Sequence, residues 1–353
     1  MIRRHAQGAP VGRIRAARYH RGVSGKRIFD FGAITFGGEA TRPRLTDAPA
    51  PRPARHDRSV APPEPRGPMP VVVGVPRSGT TLLAVMLDSH PRVAIPPETA
   101  FLTELQRLDG LDGDALERAF VDLVTTDRWG VSNWNDLGLD RGDFVRRLRE
   151  LTAFSVTAGL RVLFGMVADR AGKPLFGEKT PADAVHMPRI ASFLPEARFV
   201  HIVRDPRDVV LSLAKTTAGA SVRSSAQTWV DMVTAARAAA RTLPHYHELR
   251  YEDLLDQPER MLREVCAFLG LDWDARMLDH GESGARHVAR LGDRATPDGR
   301  AIVPKALRAR IHENLARPIR KDRAGQWRSA MSDADRAIVE TVAGPLMREL
   351  GYP

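Results

Sequence analysis

Between Gly74 and Thr81 the chain reads Gly74-Val75-Pro76-Arg77-Ser78-Gly79-Thr80-Thr81. The spacing Gly-x-x-x-x-Gly-Thr-Thr is that of a nucleotide-binding P-loop, except that Thr80 occupies the place of the usual lysine. A short β-branched run precedes the turn and a helix begins near Thr80, so backbone N–H groups at the helix start form a ready anion site. The lysine that reaches the β- and γ-phosphates of a triphosphate is missing. An anion is expected at this loop, but not the end of ATP.

The elements that must position this loop follow from the apolar pattern. Pro70–Val75 reads as a buried strand and Thr80–Ser89 as its helix, followed by an extended, proline-interrupted stretch from Pro91 to Pro97. From residue 100 to about 167 the pattern is amphipathic and helical. A second block, Phe176-Gly177-Glu178-Lys179-Thr180-Pro181, leads through a helical interval to a buried strand, Phe199–Val203, with Asp205-Pro206 opening a helix behind it. Further helices are expected at Ser225–Leu243, at Pro258–Leu269 and from Ser332, as N-cap, to about Leu350; a short strand is expected at His247–Tyr251. Residues 281–325 are rich in Gly, Arg and Asp with little periodicity, and read as a long functional loop. Alternating strands and helices imply an α/β fold with a parallel sheet, whose ligands gather at the carboxyl ends of the strands.

Composition narrows the classes. The 353 residues carry a formal net charge of +10. Residues 1–68 hold 14 Lys/Arg against 5 Asp/Glu, whereas residues 69–353 hold 39 against 38. The excess therefore sits in a Pro/Arg-rich leader, expected to be disordered, ahead of a single domain over 69–353. In that leader only the stretches 27–31 and 33–36 are apolar enough to dock. A near-neutral domain gives no footprint for specific nucleic-acid binding. No run approaches the ~20 apolar residues of a membrane span, and no secretory signal is visible. The single cysteine, Cys266, reads as a small buried hydrophobe in a helix, and a reducing, cytoplasmic location is expected.

In combination these segments resemble the sulfotransferases that use 3′-phosphoadenosine-5′-phosphosulfate (PAPS). The run from Val75 through Leu82, Met86-Leu87-Asp88-Ser89-His90-Pro91 and Glu98-Thr99 is most similar to the tyrosylprotein branch and its bacterial relatives. The resemblance covers roughly residues 70–350 and implies a P-loop-like three-layer fold, a central parallel sheet flanked by helices. It also explains the missing lysine, because a 5′-phosphosulfate is shorter than a triphosphate and is handled without a metal. Backbone N–H groups at Gly79 with the hydroxyls of Ser78, Thr80 and Thr81 would cradle it, and Arg77 would offer its planar fork. By the same resemblance Arg204 and Ser212, eight residues apart, hold the 3′-phosphate, and Tyr251 in Leu249–Leu254 approaches the adenine side. The late segment Ile319–Trp327 supplies Arg320 and Lys321, with Arg323 and Gly325 as further candidates and Trp327 as an anchor. Arg207 is a further candidate for the 3′-phosphate, although an exposed position on the helix is its expected fate.

The resemblance makes Glu98, 21 residues after Arg77, the general base that takes the acceptor proton. Flanked by Ile95-Pro96-Pro97, its carboxyl is expected to be raised if buried. Lys179 is the charge stabiliser for the departing group, and Glu178 would orient it or pair with Arg77. His90, His186 and His201 are the histidines weighed as alternative bases, and none sits in the context used by the small-molecule branch. The expected reaction is transfer of a sulfuryl group from PAPS to a hydroxyl on a carbohydrate, metabolite, lipid or tyrosine, with no metal. A P-loop kinase and a catalytically silent nucleotide-binding protein are the alternatives. Neither the acceptor nor the oligomeric state is written in the pattern.

Overall fold

The computed structural model describes residues 59–125, 133–215, 220–295 and 301–353. In chain order it contains β1 (Met69–Val73), α1 (Thr80–Asp88), β2 (Val93–Ala94), α2 (Gly113–Thr125), α3 (Trp134–Leu137), α4 (Arg141–Glu150), α5 (Val156–Arg170), β3 (Leu175–Phe176), β4 (Glu178–Lys179), α6 (Met187–Phe193), β5 (Ala197–Val203) and α7 (Pro206–Ala214). These are followed by α8 (Val222–Ala240), β6 (Tyr246–Arg250), α9 (Tyr251–Asp256), α10 (Pro258–Leu269), α11 (Gly281–Arg290), β7 (Arg294–Ala295), β8 (Ala301–Val303), α12 (Lys305–His312), α13 (Trp327–Ala330) and α14 (Asp333–Glu349). No helix among the described residues is long and apolar enough to cross a membrane.

The main sheet is parallel throughout, in the order β4-β1-β5-β6. Alternate residues of each strand face opposite layers. Val71 and Val73 of β1, with Phe199 and Val203 of β5, join a cluster containing Trp229 and Val233 of α8. Val72, Val200 and Ile202 join the opposite cluster, with Leu83 and Leu87 of α1 and Leu262 and Val265 of α10. A strand buried on both faces needs an unbroken apolar run, which is what Met69–Val73 supplies. At Gly177 the chain leaves its pairing with β2 and begins pairing with β1, passing so close that an added β-carbon would overlap the Pro70 carbonyl. The three-layer α/β expectation holds.

Strand ends shift by one or two residues from the sequence-based bounds, and three other differences matter more. The helix expected from Ser225 starts at Val222, capped by the Ser221 hydroxyl, and ends at Ala240. Residues 281–325 are not a long loop: they contain α11, α12 and short 3₁₀ turns. Gly281 and Gly284 read as loop residues, yet both lie in α11, where the missing side chain lets the helix press against the backbone at Leu315–Ala316. The third concerns the leader. Residues 1–58 lie outside the described residues, but the end of the segment expected to be disordered is docked: Val60 exchanges backbone hydrogen bonds with Glu150 and Thr152, and Arg66 pairs with Asp169.

The 281–316 unit is pinned to the helical insert by a buried ion pair. Arg308 of α12 donates to Asp136 of α3 at 3.1 Å, and both side chains are under one-tenth exposed. Breaking a buried pair by removing one partner strands the other charge. Arg308→Ala is therefore expected to lower unfolding stability by about 3–5 kcal/mol in urea titrations, and Arg308→Met with Asp136→Leu to recover most of that loss.

Candidate active site

The P-loop-like turn connects the end of β1 to α1. Gly79, at φ 96°, is the residue before the helix, and an added β-carbon there would overlap the Tyr251 ring. Arg77 also adopts a left-handed conformation, φ 74°, which is uncommon for a residue with a side chain. That conformation carries its guanidinium over to α7, where Nε donates to the Ser212 hydroxyl at 3.0 Å. Burial, then the nearby Arg204 guanidinium, lower the Arg77 pKa, and Arg77 makes no ion pair among the described residues. Ser78 is fully buried, and its hydroxyl has no hydrogen-bond partner.

Two neighbouring strands bring in the other charges. The β1–β4 register sets Val72 beside Lys179, whose Nζ donates to Glu98 Oε1 at 2.6 Å. Lys179 is 1% exposed and Glu98 29%. Arg294, at the start of β7, approaches Glu98 Oε2 at 3.5 Å. Burial opposes ionisation of Glu98, but Lys179 and Arg294 together outweigh it and hold the carboxyl below the usual carboxylate range. The expectation of a raised glutamate is thus reversed, because two cations face it. Glu178 does not orient Lys179 through an ion pair, nor reach Arg77: its Oε1 accepts hydrogen bonds from Thr99 and Thr180.

The β5–α7 corner completes the cleft. Arg204 donates to the backbone carbonyls of Arg77 (3.0 Å) and Arg323 (2.8 Å), lies over the Tyr251 ring and pairs with Asp208 at 3.3 Å. Its Nε is buried without a partner. Asp208 also accepts from the backbone N–H groups of Gly325 (2.7 Å) and Trp327 (2.9 Å), fastening the late segment to α7. Arg207 is buried rather than exposed. It makes a two-pronged bond to Asp205, at 3.0 and 2.7 Å, and stacks on Trp327 at 3.6 Å.

A cavity of about 420 Å³ lies between these elements. Arg77, Gly79, Thr80, Thr81, Arg204, Ser212, Tyr251 and Arg320 line it, as expected of a shared site. Lys321 does not line it and instead pairs with Asp256 at the surface, while Arg320 also pairs with Asp322. Glu98 and Lys179 are not among the lining residues, but the charges of both reach His312 and that of Glu98 also reaches Arg77. Among the described residues there is no group of three or more His, Cys, Asp and Glu side chains that could hold a metal ion.

The sequence profile described as the sulfotransferase family matches residues 68–275, more than half of the chain. The chain belongs to the sulfotransferase family. Its reaction class is sulfuryl transfer. This sulfotransferase is 24% identical over 314 residues to the nodulation protein NoeE of Sinorhizobium fredii (strain NBRC 101917 / NGR234), covering 81% of this chain and 67% of that one. It is 24% identical over 303 residues to protein-tyrosine sulfotransferase 1 of Danio rerio, covering 81% and 72%. Its fold superposes on the sulfotransferase domain from the curacin biosynthetic pathway with a TM-score of 0.53 at 21% identity, over 82% of this chain and 99% of that one.

Several cavity residues of the sulfotransferase lie after the matched span and carry no spacing signal in the sequence. His312 lines the inner wall, its ring edge-on to His287 at 5.7 Å. Both face Lys179 and Glu98. Burial first and Lys179 second push His287 down to about 3 and His312 down to about 4. Arg294, His287 and His312 are more than a hundred residues from Lys179 in sequence, and only the folding back of α11 and α12 brings them there. His90 is bonded to the Asp272 carbonyl, His186 precedes α6, and His201 is buried against Tyr246; none lines the cavity.

The depressed His287 has a testable consequence. Between about pH 6.5 and its folded value the unfolded chain holds a proton that the folded chain does not, so stability falls as pH drops. Relative to His287→Asn, the wild type is expected to lose about 1.4 kcal/mol per pH unit through that window, measured by denaturant titration.

Proposed function

We propose that the cavity binds PAPS and that Arg77, Lys179 and Glu98 transfer its sulfuryl group to a hydroxyl-bearing acceptor. The observation that carries this reading is a surplus of buried positive charge at a helix start. Arg77 and Arg204 lie close enough to lower the Arg77 pKa, and only Arg204 has a carboxylate, Asp208, within ion-pair distance. Two adjacent guanidiniums with one acid between them favour a multiply charged anion. The partnerless Arg204 Nε is a further donor on this wall, whereas Ser78, expected in the cradle, is wholly buried and does not line the cavity.

PAPS supplies an activated sulfuryl group on a good leaving phosphate. In the proposed arrangement the loop N–H groups with Thr80 and Thr81 hold the 5′ end, and Arg77 stabilises the transferring oxygens. Arg204, Ser212 and Arg320 face the 3′-phosphate, and Tyr251, already stacked under Arg204, offers a ring to the adenine. Sulfuryl transfer forms an oxygen–sulfur bond to the acceptor as the bond to the bridging oxygen breaks, and the acceptor proton passes to Glu98. Lys179 couples these events. While it bonds Glu98 the carboxylate is a weak base. When Lys179 turns to the charge growing on the bridging oxygen, the partly buried Glu98 loses its main cationic partner and its proton affinity rises.

Calorimetry with 3′-phosphoadenosine-5′-phosphate tests the donor assignment. Wild type and Glu98→Gln are expected to bind alike, while Arg204→Ala binds about 10–100-fold more weakly, as befits loss of charged hydrogen bonds. In turnover with PAPS and a hydroxyl acceptor, Glu98→Gln should lose a factor of about 10²–10⁴ in kcat. Lys179→Met should shift the acidic limb of the residual pH–rate profile upward, since the remaining carboxyl is harder to ionise. Preferential binding of ATP with magnesium would overturn the reading.

A further inference from the structure

Next to the Glu98–Lys179 pair lies a second acidic cluster that the transfer chemistry does not use. Glu178 and Asp183 are both 0% exposed. Glu178 precedes Lys179 in β4, and Asp183 sits in the 3₁₀ turn Pro181–Val185 that follows. Glu178 Oε1 accepts from the Thr99 hydroxyl at 2.9 Å and from the Thr180 hydroxyl at 2.7 Å, and the Thr180 oxygen in turn accepts the Ala100 N–H at 3.1 Å. One carboxyl oxygen thereby holds both residues that follow Glu98. Ala100 is in the left-handed region, φ 61°, a conformation that persists in a residue with a side chain only when surrounding bonds enforce it.

The other three oxygens of the cluster, Glu178 Oε2 and both of Asp183, are buried and receive no hydrogen bond from any donor. Two ionised carboxylates cannot be stable side by side in that state. A single proton between them turns one oxygen into a donor and another into its acceptor, leaving one orphan where there were three. Burial, and next the adjacent Glu178 carboxyl, hold Asp183 well above the usual carboxylate range. The charged groups that act on it are Glu178 and Lys179 from β4 and Glu98, while α8 packs on the turn and buries Trp229 and Val233 in the same core as Ala184.

We infer that Glu178 and Asp183 share one proton at neutral pH and form a positioning pair that fixes the Glu98–Thr99–Ala100 turn against Lys179. The catalytic consequence rests on Glu98 being the base; the shared proton does not. Infrared difference spectra of wild type against Asp183→Asn at neutral pH are expected to show the carbonyl stretch of one protonated carboxylic acid lost in the variant. Absence of that band overturns the shared proton. Denaturant titrations between about pH 5 and about pH 8 count the same proton independently. An unfolded aspartate is ionised above about pH 4, whereas the folded pair keeps its proton, so the stability from a raised carboxyl drains away as pH rises. The wild-type folding constant is expected to fall against that of Asp183→Asn by about tenfold per pH unit within that window. A ratio independent of pH overturns the inference.

The positioning role has its own readout. Glu178→Gln keeps an oxygen for Thr99 and Thr180 and is expected to retain most of kcat, whereas Glu178→Ala should lose about 10–100-fold in kcat with binding of 3′-phosphoadenosine-5′-phosphate unchanged. Thr99→Val removes one of the same bonds while leaving both carboxyls in place and should show a smaller loss of the same kind. Unchanged kcat in both Glu178→Ala and Thr99→Val overturns it. Should Glu98→Gln itself leave kcat intact, the base assignment falls, while the infrared band and the pH slope still report on the pair.

Discussion

The cleft depends on β1 being hydrogen-bonded along both edges. Its five residues are buried, and their parallel register with β4 and β5 brings the carboxyl ends of three strands to the same side of the sheet. From those ends come the anion loop after Val73, Lys179 beside Val72, and Arg204 just past Val203. The parallel ladder spaces these groups a strand's width apart, which is the scale of a phosphosulfate and its neighbours. Any slip of β1 by one residue would exchange its two apolar faces and separate all three groups at once.

Charge is arranged on that frame in two tiers. On the cavity wall, Arg77 and Arg204 lie close together, and only Arg204 has a carboxylate, Asp208, within ion-pair distance. Outside the lining residues, Lys179 and Arg294 over-answer a single carboxylate, Glu98, and keep it ionised. The histidines at 287 and 312 add no charge at neutral pH, because burial and Lys179 suppress their protonation. The local field is therefore set by permanently charged groups whose backbones lie on strands, on α7 or immediately after them.

The strands β1 and β5, with α1, α7 and α10, were legible because each has a strong local signature: a β-branched run, a proline in the first turn, a 3.6-residue apolar period; the two- and three-residue strands β3, β4, β7 and β8 have none. The residues Arg77, Thr80, Thr81, Arg204, Ser212 and Tyr251 meet in one cavity because loop chemistry and helix spacing are local properties. What could not be read was long-range. Gly284 falls in the Gly-rich stretch that reads as a loop, and only the Leu315 backbone lying against it shows why a glycine belongs inside a helix there. Arg207 looked like a surface residue until Asp205 and Trp327 enclosed it. Lys321 was one of several cations in a short run, and nothing local indicates which of them turns inward.

Asp208 joins α7 to Gly325 and Trp327 across more than a hundred residues, and Arg204 is bonded to the Arg323 carbonyl. The cavity wall is thus finished by a segment near the C-terminus, well beyond the span that the family profile matches. On a ribosome the anion loop, Lys179 and Arg204 all emerge while that wall is still unmade. The cavity is therefore a product of tertiary closure: no contiguous stretch of the chain encloses it, and the first and last segments that meet there are separated by more than a hundred residues of intervening fold.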